Sequence, residues 1–174
     1  MRKANLGPVG VKDQRLKPVS SIFTARRNIV AGRRTFFAGC KTYMDRAFFH
    51  AKNEAELFID VLRTNTLGGK FKLHDFVVMP DHFHVLLTVD SNTSIERAIQ
   101  LIKGGYSFRR NKELELAGEI WPPGFSEVRV LDRKSYLAHK KYIDENPVKA
   151  GLAKSAEDYP YCSAYFRKKK KTSV

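Results

Sequence analysis

The chain has 174 residues, which is long enough for one ordinary domain with a buried core and too short for two domains of usual size. Its 43% hydrophobic content is typical of a globular protein, and its formal charge of +14 indicates an anionic partner such as a nucleic acid, although a membrane-surface or ribosomal protein would have a similar balance. The two cysteines match neither a zinc spacing nor a disulfide framework, and no apolar stretch approaches the roughly 18 residues of a membrane span, so we expect a cytoplasmic protein with reduced thiols and no membrane partner.

Basic segments flank the predicted domain at both ends. Residues 1–34 contain nine Lys or Arg and a single acid, which predicts a flexible basic N-terminal arm. Residues 167–174 begin with five consecutive basic residues, which predict a basic tail that stays solvated until it meets an anion. A solubilising or targeting role for both segments is the alternative, and the domain itself is expected over residues 35–166.

The spacing of apolar residues predicts the elements of the domain in chain order. A strand over 35–40 is followed by a helix over 54–64, for which Asn53 and Glu56 form a capping box. Strands over 71–79 and 82–89 come next, joined by a turn at Pro80 and Asp81. In the second strand His82, His84, Leu86 and Thr88 alternate with an apolar face.

The second half of the chain continues this alternation of strands and helices. A second capping box, Thr93 with Glu96, opens a helix that is expected to end at about Lys103, before a pair of glycines. After a strand over 125–131, Asp132 caps a helix over 133–145 that is expected to end near Pro147. The order predicts an α+β sandwich, with an antiparallel sheet that carries the helices on one face.

Candidate metal ligands lie on the second of the paired strands. His82 and His84 project from the same face, so their imidazoles can converge on one divalent ion while Phe83 points into the core. Two surface or hydrogen-bonded core histidines are the alternative. A third ligand and a nucleophile could come from the last helix, where Tyr142 and Asn146 are one turn apart.

A tyrosine attacks a phosphate only when its phenol is deprotonated and a Lewis acid polarises the phosphorus, and a divalent ion beside the histidines would do the latter. Tyr142 could equally be an aromatic residue that packs its helix on the sheet. Tyr136 on the same helix and Tyr106 after the glycine pair are competing candidates.

Three segments resemble the single-tyrosine HUH transposases, in particular the branch of REP-associated tyrosine transposases. They are Val77 to Leu87 with the motif Met-Pro-Asp-His-Phe-His, Ile120 to Phe125, and Tyr136 to Leu152 with the motif Tyr-Ile-x-x-Asn-Pro-Val. The resemblance implies a ferredoxin-like fold over residues 35–166. It also implies that His82, His84 and Asn146 are metal ligands, that Tyr142 is the nucleophile, and that Mg²⁺ or Mn²⁺ is the cofactor.

The resemblance also implies the substrate and reaction. The substrate would be single-stranded or hairpin DNA of the REP type, cut and rejoined through a 5′-phosphotyrosine by a monomer or a homodimer. Two features depart from the family: the loop Pro122 to Gly124 lacks polar and basic residues, and Val128 stands where relatives often have a histidine.

Basic and aromatic residues provide candidate DNA contacts, because such a mixture is typical of single-strand grooves. They are Lys103, Tyr106, Phe108, Arg109 and Arg110 after the second helix, and Arg167, Lys168 and Lys169 in the predicted tail. Two other functions stay open: a nucleic-acid-binding protein without catalysis, acting as a repressor or RNA binder, and a metal phosphodiesterase in which water attacks.

Overall fold

The computed structural model describes residues 32–172, so residues 1–31 of the predicted arm lie outside the described residues. Within this range the strands are β1 (Arg34–Lys41), β2 (Lys72–Met79), β3 (His82–Val89) and β4 (Ser126–Val130). The α-helices are α1 (Lys52–Leu67), α2 (Ile95–Leu114), α3 (Arg133–Lys149) and α4 (Ser163–Thr172). This is the predicted order of elements, followed by one further helix. None of the helices in the described range is long and apolar enough to cross a membrane.

The four strands form one antiparallel sheet in the order β2-β3-β1-β4. The predicted α+β class with an antiparallel sheet is therefore confirmed. Strands β3 and β1 lie in the centre of the sheet. Their register pairs His84 with Gly39 and His82 with Lys41, and this brings one end of β1 beside both histidines.

The prediction that the helices share one face is wrong for α3. The core on one face joins Phe83, Val85 and Leu87 of β3 to α1 and α2. The core on the other face joins Leu86 of β3 to Ile143 of α3. Successive residues of a strand point to opposite faces of the sheet. Because β3 has apolar residues on both faces, each face must be covered by helices.

The outer edge of β2 is covered by the segment that leads into α4. The Val78 amide donates to the Tyr161 carbonyl at 2.9 Å, and Val77 forms an isolated bridge with Cys162. The Phe76 amide donates to the Ser163 hydroxyl at 3.2 Å. These contacts satisfy backbone groups that would otherwise be open to another strand, and they anchor the start of α4.

Helix α2 does not end at Gly104 and Gly105 as predicted but continues to Leu114. A Cβ on Gly105 would lie 3.3 Å from Val61 Cγ1, so the absence of a side chain lets α1 and α2 pack closely. The predicted Thr93 cap is also wrong, since the Ser94 hydroxyl accepts the Arg97 amide at 3.1 Å.

Helix α3 begins as predicted, with the Asp132 carboxylate accepting the Ser135 amide at 2.7 Å. It does not end before Pro147, which lies buried inside its last turn. A proline removes a single backbone donor, and the Ala150 amide still donates to the Asn146 carbonyl at 3.0 Å. Asn146 therefore follows Tyr142 by one turn of a continuous helix.

A buried polar cluster joins α1 to α2 on the far side of the sheet from α3. Glu54 and Arg110 are each 5% exposed, and their side chains form a bidentate pair with N–O distances of 2.6 and 3.0 Å. The hydroxyl of the fully buried Tyr106 donates to the same Glu54 carboxylate. Burial and this carboxylate raise the pKa of Tyr106 far above its ordinary value.

The Arg110→Ala substitution is expected to destabilise the fold by about 3–5 kcal/mol, because it leaves the Glu54 carboxylate buried without its cation. Thermal denaturation followed by circular dichroism measures the effect. The matched control is Arg109→Ala, which removes exposed pairs with Asp60 and Glu113 and should cost no more than about 1 kcal/mol. Equal losses in the two variants would contradict the assignment of Arg110 to the core.

Candidate active site

His82 and His84 face a cavity of about 650 Å³ at one end of the sheet. Their ring centroids are 5.2 Å apart with the ring planes at 74°, as expected for i and i+2 positions of one strand face. The ends of β1 and β3, the loop Pro122 to Phe125, Ser126 and Tyr142 form the walls. The structure thus brings together both histidines and the candidate nucleophile.

The imidazole of His82 is oriented by its neighbour in the turn. His82 Nδ1 lies 2.6 Å from Asp81 Oδ1, so the carboxylate accepts a hydrogen bond from Nδ1 when that nitrogen carries the proton. The free lone pair is then on Nε2, which can bind a metal ion. A carboxylate on the other ring nitrogen orients histidine ligands in many metalloproteins in the same way. Asp81 belongs to the Met-Pro-Asp-His motif, but its role beside His82 was not predicted from the sequence.

His84 is held in a tighter environment. Burial and the neighbouring His82 lower the pKa of His84 to about 4, so its imidazole is neutral at neutral pH and can act as a ligand. His84 Nδ1 is buried and has no hydrogen-bond partner. A Cβ on Gly39 would lie 2.4 Å from this nitrogen, so only glycine at this position leaves room for the ring.

Tyr142 projects from α3 toward the same face of the sheet. Its ring centroid is 5.3 Å from that of His84, with the planes at 79°, and its side chain is 44% exposed. Phe37 of β1 stacks on His84 at 5.1 Å and on His139 of α3 at 4.5 Å. Phe37 therefore links the histidine strand to the tyrosine helix, a role that the sequence analysis missed.

Asn146 is on α3 one turn after Tyr142 but is not among the residues that line the cavity. Its amide nitrogen donates to the Tyr142 carbonyl at 3.0 Å, which leaves the amide oxygen as the atom suited to bind a cation. Asn146 and Tyr142 are therefore neighbours on α3, as predicted, but Asn146 contacts neither His82 nor His84.

The two imidazoles can bind a divalent ion, but they supply only part of its coordination shell. The donor set contains a neutral His84 and a His82 oriented by a carboxylate, both facing one cavity. Among residues 32–172 no group of three His, Cys, Asp or Glu side chains is arranged to hold a metal. An ion on the two imidazoles would therefore need oxygen ligands from an amide, water or a phosphate.

Two of the predicted DNA contacts are wrong because the side chains are buried. Tyr106 is fully buried and Arg110 is 5% exposed, both committed to Glu54. Phe108 is 66% exposed and remains accessible, whereas Arg109 is paired with Asp60 and Glu113 at 2.6 Å. A mixed basic and aromatic composition does not distinguish a helix that faces the core from one that faces a ligand.

Lys103 holds a loop of the cavity wall, a contact that was not predicted from the sequence. Its ammonium group donates to the Pro122 carbonyl at 3.0 Å and to the Gly124 carbonyl at 2.9 Å. It therefore fixes the loop that forms one wall of the cavity. The exposed Val128 on β4 lies opposite Phe37 in the register, on the side of the sheet that carries His84.

The predicted C-terminal tail is part of α4 as far as Thr172; residues 167–172 are helical, and residues 168–172 stay exposed to solvent. Arg167 pairs with Asp75 and Asp144, and Lys168 pairs with Asp158 at 3.1 Å. Lys169 lies over the Tyr165 ring at 4.7 Å. Carboxylates of β2, α3 and the preceding turn therefore compensate the first two charges of the basic run.

The chain is similar to several known proteins. Residues 41–146 match the family described as "Transposase IS200 like". A REP-associated tyrosine transposase of Escherichia coli is 29% identical over 92 residues, covering 52% of this chain and 53% of that protein. A Haemophilus influenzae protein assigned to the same group is 33% identical over 96 residues, covering 49% of this chain and 54% of that protein. The chain thus spans about half the length of these curated relatives.

A solved structure of a REP-associated tyrosine transposase bound to a REP hairpin has a TM-score of 0.58 and 24% identity to this chain, over 80% of this chain and 81% of that one. At this identity the similarity establishes a shared fold. The family match covers more than half of the chain, and the protein therefore belongs to the IS200-like transposase family.

Proposed function

We propose that the protein is a DNA strand transferase that nicks and rejoins single-stranded or hairpin DNA through a phosphotyrosine at Tyr142. The observation that carries the proposal is the position of the exposed Tyr142 ring, 5.3 Å from the His84 ring at the cavity that His82 and His84 line. A phenol attacks a phosphate efficiently only when that phosphate is polarised, and the two imidazoles could hold the ion that supplies the polarisation.

The proposed reaction is a balanced exchange of phosphoester bonds. The Tyr142 phenol loses its proton and its oxygen attacks the phosphorus, while the bond between phosphorus and the 3′-oxygen of the preceding nucleotide breaks. The proton given up by the phenol passes through solvent to that oxygen, which leaves as a 3′-hydroxyl, and the 5′-phosphate stays on Tyr142. Attack by a second 3′-hydroxyl reverses the step and rejoins DNA, so no external energy source is required. Bound Mg²⁺ or Mn²⁺ would polarise the phosphate and align it with the phenol.

The proposed metal site can be probed through Gly39 without changing a ligand. Gly39→Ala is expected to lower Mn²⁺ affinity by about 10- to 100-fold, because its Cβ would displace the His84 ring. Isothermal titration of the protein with Mn²⁺ measures the loss. Gly104→Ala is the matched control: a Cβ there meets nothing within 4 Å, and alanine favours the helix. Unchanged Mn²⁺ affinity in Gly39→Ala would argue against His84 as a ligand.

A hairpin DNA substrate is supported by charge and by the similar structure. The formal charge of +14 favours a phosphate polymer, and that structure is of a transposase bound to a REP hairpin. Both histidines and Tyr142 of one chain face the same cavity, which supports an active site assembled within a single subunit.

One assay separates the proposed function from its alternatives. The protein is incubated with Mn²⁺ and a hairpin DNA with single-stranded flanks, labelled at either end, and the products are resolved on a denaturing gel. We expect a protein–DNA adduct together with a released strand that ends in a 3′-hydroxyl. Cleavage without an adduct would indicate hydrolysis by water, and binding without cleavage would indicate a binding protein; either result would overturn the proposal.

A further inference from the structure

A cluster of charged side chains joins α3 to β2 and α4. The Arg167 guanidinium of α4 contacts two carboxylates: Asp75 of β2 through Nη1, and Asp144 of α3 through Nη2 at 3.1 Å. The Lys140 ammonium of α3 lies 2.6 Å from Asp144 Oδ2 and 3.8 Å from Asp75 Oδ1. The Ser163 hydroxyl donates to Asp75 Oδ1 at 2.9 Å. We call these five residues the clamp.

The clamp is partly buried, so its geometry is restrained. The Asp75 side chain is 4% exposed and those of Lys140 and Asp144 are 30% and 27% exposed. A carboxylate removed from water needs charged partners close to it, and a planar guanidinium between two carboxylates has few alternative arrangements. The clamp therefore fixes α3 relative to both β2 and α4.

The clamp and the nucleophile lie on opposite flanks of the contact between α3 and the sheet. At about 100° per residue, Lys140 and Asp144 share one side of the helix, and Tyr142 lies roughly 160–200° away from them. The buried Ile143 lies between the two flanks. On the flank of Tyr142, Phe37 stacks on His139 at 4.5 Å. Rotation of α3 about its axis is therefore resisted on both sides.

We propose that Asp144, held by Arg167 and Lys140, is a positioning residue that sets the rotation of α3 and thereby the place of the Tyr142 phenol beside the histidines. The proposal rests on the proposed function where it concerns catalysis. A helix side chain ends about 6 Å from the axis, so a rotation of about 10° moves it by roughly 1 Å. A misplacement of about 1 Å can slow a positioned reaction about 100-fold.

The Asp144→Asn substitution tests the clamp with little risk to folding. It keeps the side-chain shape and leaves the buried contacts of Asp75 with Arg167 and Ser163 in place. The matched control is Glu145→Gln, the same change one residue further on. The Glu145 carboxylate pairs with Lys141 at 3.5 Å and with Lys149 at 2.8 Å, and both partners are on α3 itself.

Two measurements are made on wild type and both variants. The first is the rate of adduct formation at saturating hairpin DNA in a single turnover, together with the hairpin Kd. The second is the ¹⁹F NMR resonance of Tyr142 in protein labelled with 3-fluorotyrosine, assigned as the one of seven tyrosine signals that Tyr142→Phe removes. The NMR arm reports the surroundings of the ring without requiring catalysis.

We expect Asp144→Asn to slow adduct formation at least about 10-fold while the hairpin Kd changes less than twofold, and to shift or broaden the Tyr142 resonance. Glu145→Gln should leave all three at the wild-type values. An unchanged rate or an unchanged resonance in Asp144→Asn would overturn the proposal. If wild type forms no adduct, the proposed function fails, and the resonance alone decides whether Asp144 positions Tyr142.

Discussion

The Tyr142→Phe variant is expected to form no phosphotyrosine adduct, with a loss of DNA cleavage of at least about 1,000-fold, because the nucleophilic oxygen is absent and water is not aligned in its place. Hairpin affinity should change less than twofold, since the phenyl ring keeps its contact with His84 and Phe37. A denaturing gel with end-labelled hairpin measures cleavage and adduct together, and fluorescence anisotropy measures binding.

The matched control for this variant is Tyr136→Phe on the same helix. Tyr136 lies against His74, with ring centroids 5.6 Å apart, and packs in the core under α3, away from the cavity. We expect its cleavage rate to stay near that of wild type. Cleavage that survives in Tyr142→Phe would instead support a hydrolase in which water attacks, whereas loss of activity in both variants would point to a general defect of α3.

The His82→Ala and His84→Ala double variant is expected to lose metal-dependent cleavage by at least about 100-fold, because no other imidazole lines the described cavity. Its Mn²⁺ affinity, measured by isothermal titration, should fall by a comparable factor. Neither side chain supports the main core beneath the sheet, where Phe83 packs, so the melting temperature should stay within a few degrees of wild type.

His50→Ala controls for the loss of a histidine as such, since His50 is exposed in a short 3-10 turn before α1. It should bind Mn²⁺ and cleave DNA as wild type does. Metal-dependent cleavage that persists in the double variant would show that the ion binds elsewhere, and the site described at β3 would then have another role.

Local patterns in the sequence predicted the parts of the fold that depend on local spacing. The alternation from His82 to Val89 gave the bounds of β3 and the common face of the two histidines. Asp132 predicted the start of α3. Leu86 on the histidine face also indicates that this face is covered, because an apolar residue between His84 and Thr88 predicts a second core. Ile143 of α3 belongs to that core.

The errors concern contacts between residues far apart in sequence. Tyr106 and Arg110 resemble a DNA-binding stretch until Glu54 of another helix is found beside them. The basic run that starts at Arg167 resembles a free tail until Asp75 and Asp144 are found next to it. Composition gives the charge of such residues, and the tertiary contacts decide whether the charge faces a ligand or a carboxylate.

Tyr142 could not be preferred over Tyr136 on physical grounds from the sequence, because both lie on the same helix. The structure separates them: Tyr142 lines the cavity and Tyr136 packs under α3 beside His74. Residues that shape the site without a reactive group, such as Phe37 and Gly39, became visible only through the register of β1 with β3.

The most direct test of Tyr142 as the nucleophile is peptide mapping of the adduct. Trypsin cleaves after Lys141 and Lys149, so Tyr142 lies in a peptide of its own, whereas Tyr136 falls in the peptide Ser135 to Lys140. After nuclease digestion, mass spectrometry is expected to find the added nucleotide mass on the peptide from Tyr142 to Lys149. A nucleotide on any other tyrosine, or an adduct lacking from every peptide while DNA is still cut, would contradict the proposed mechanism.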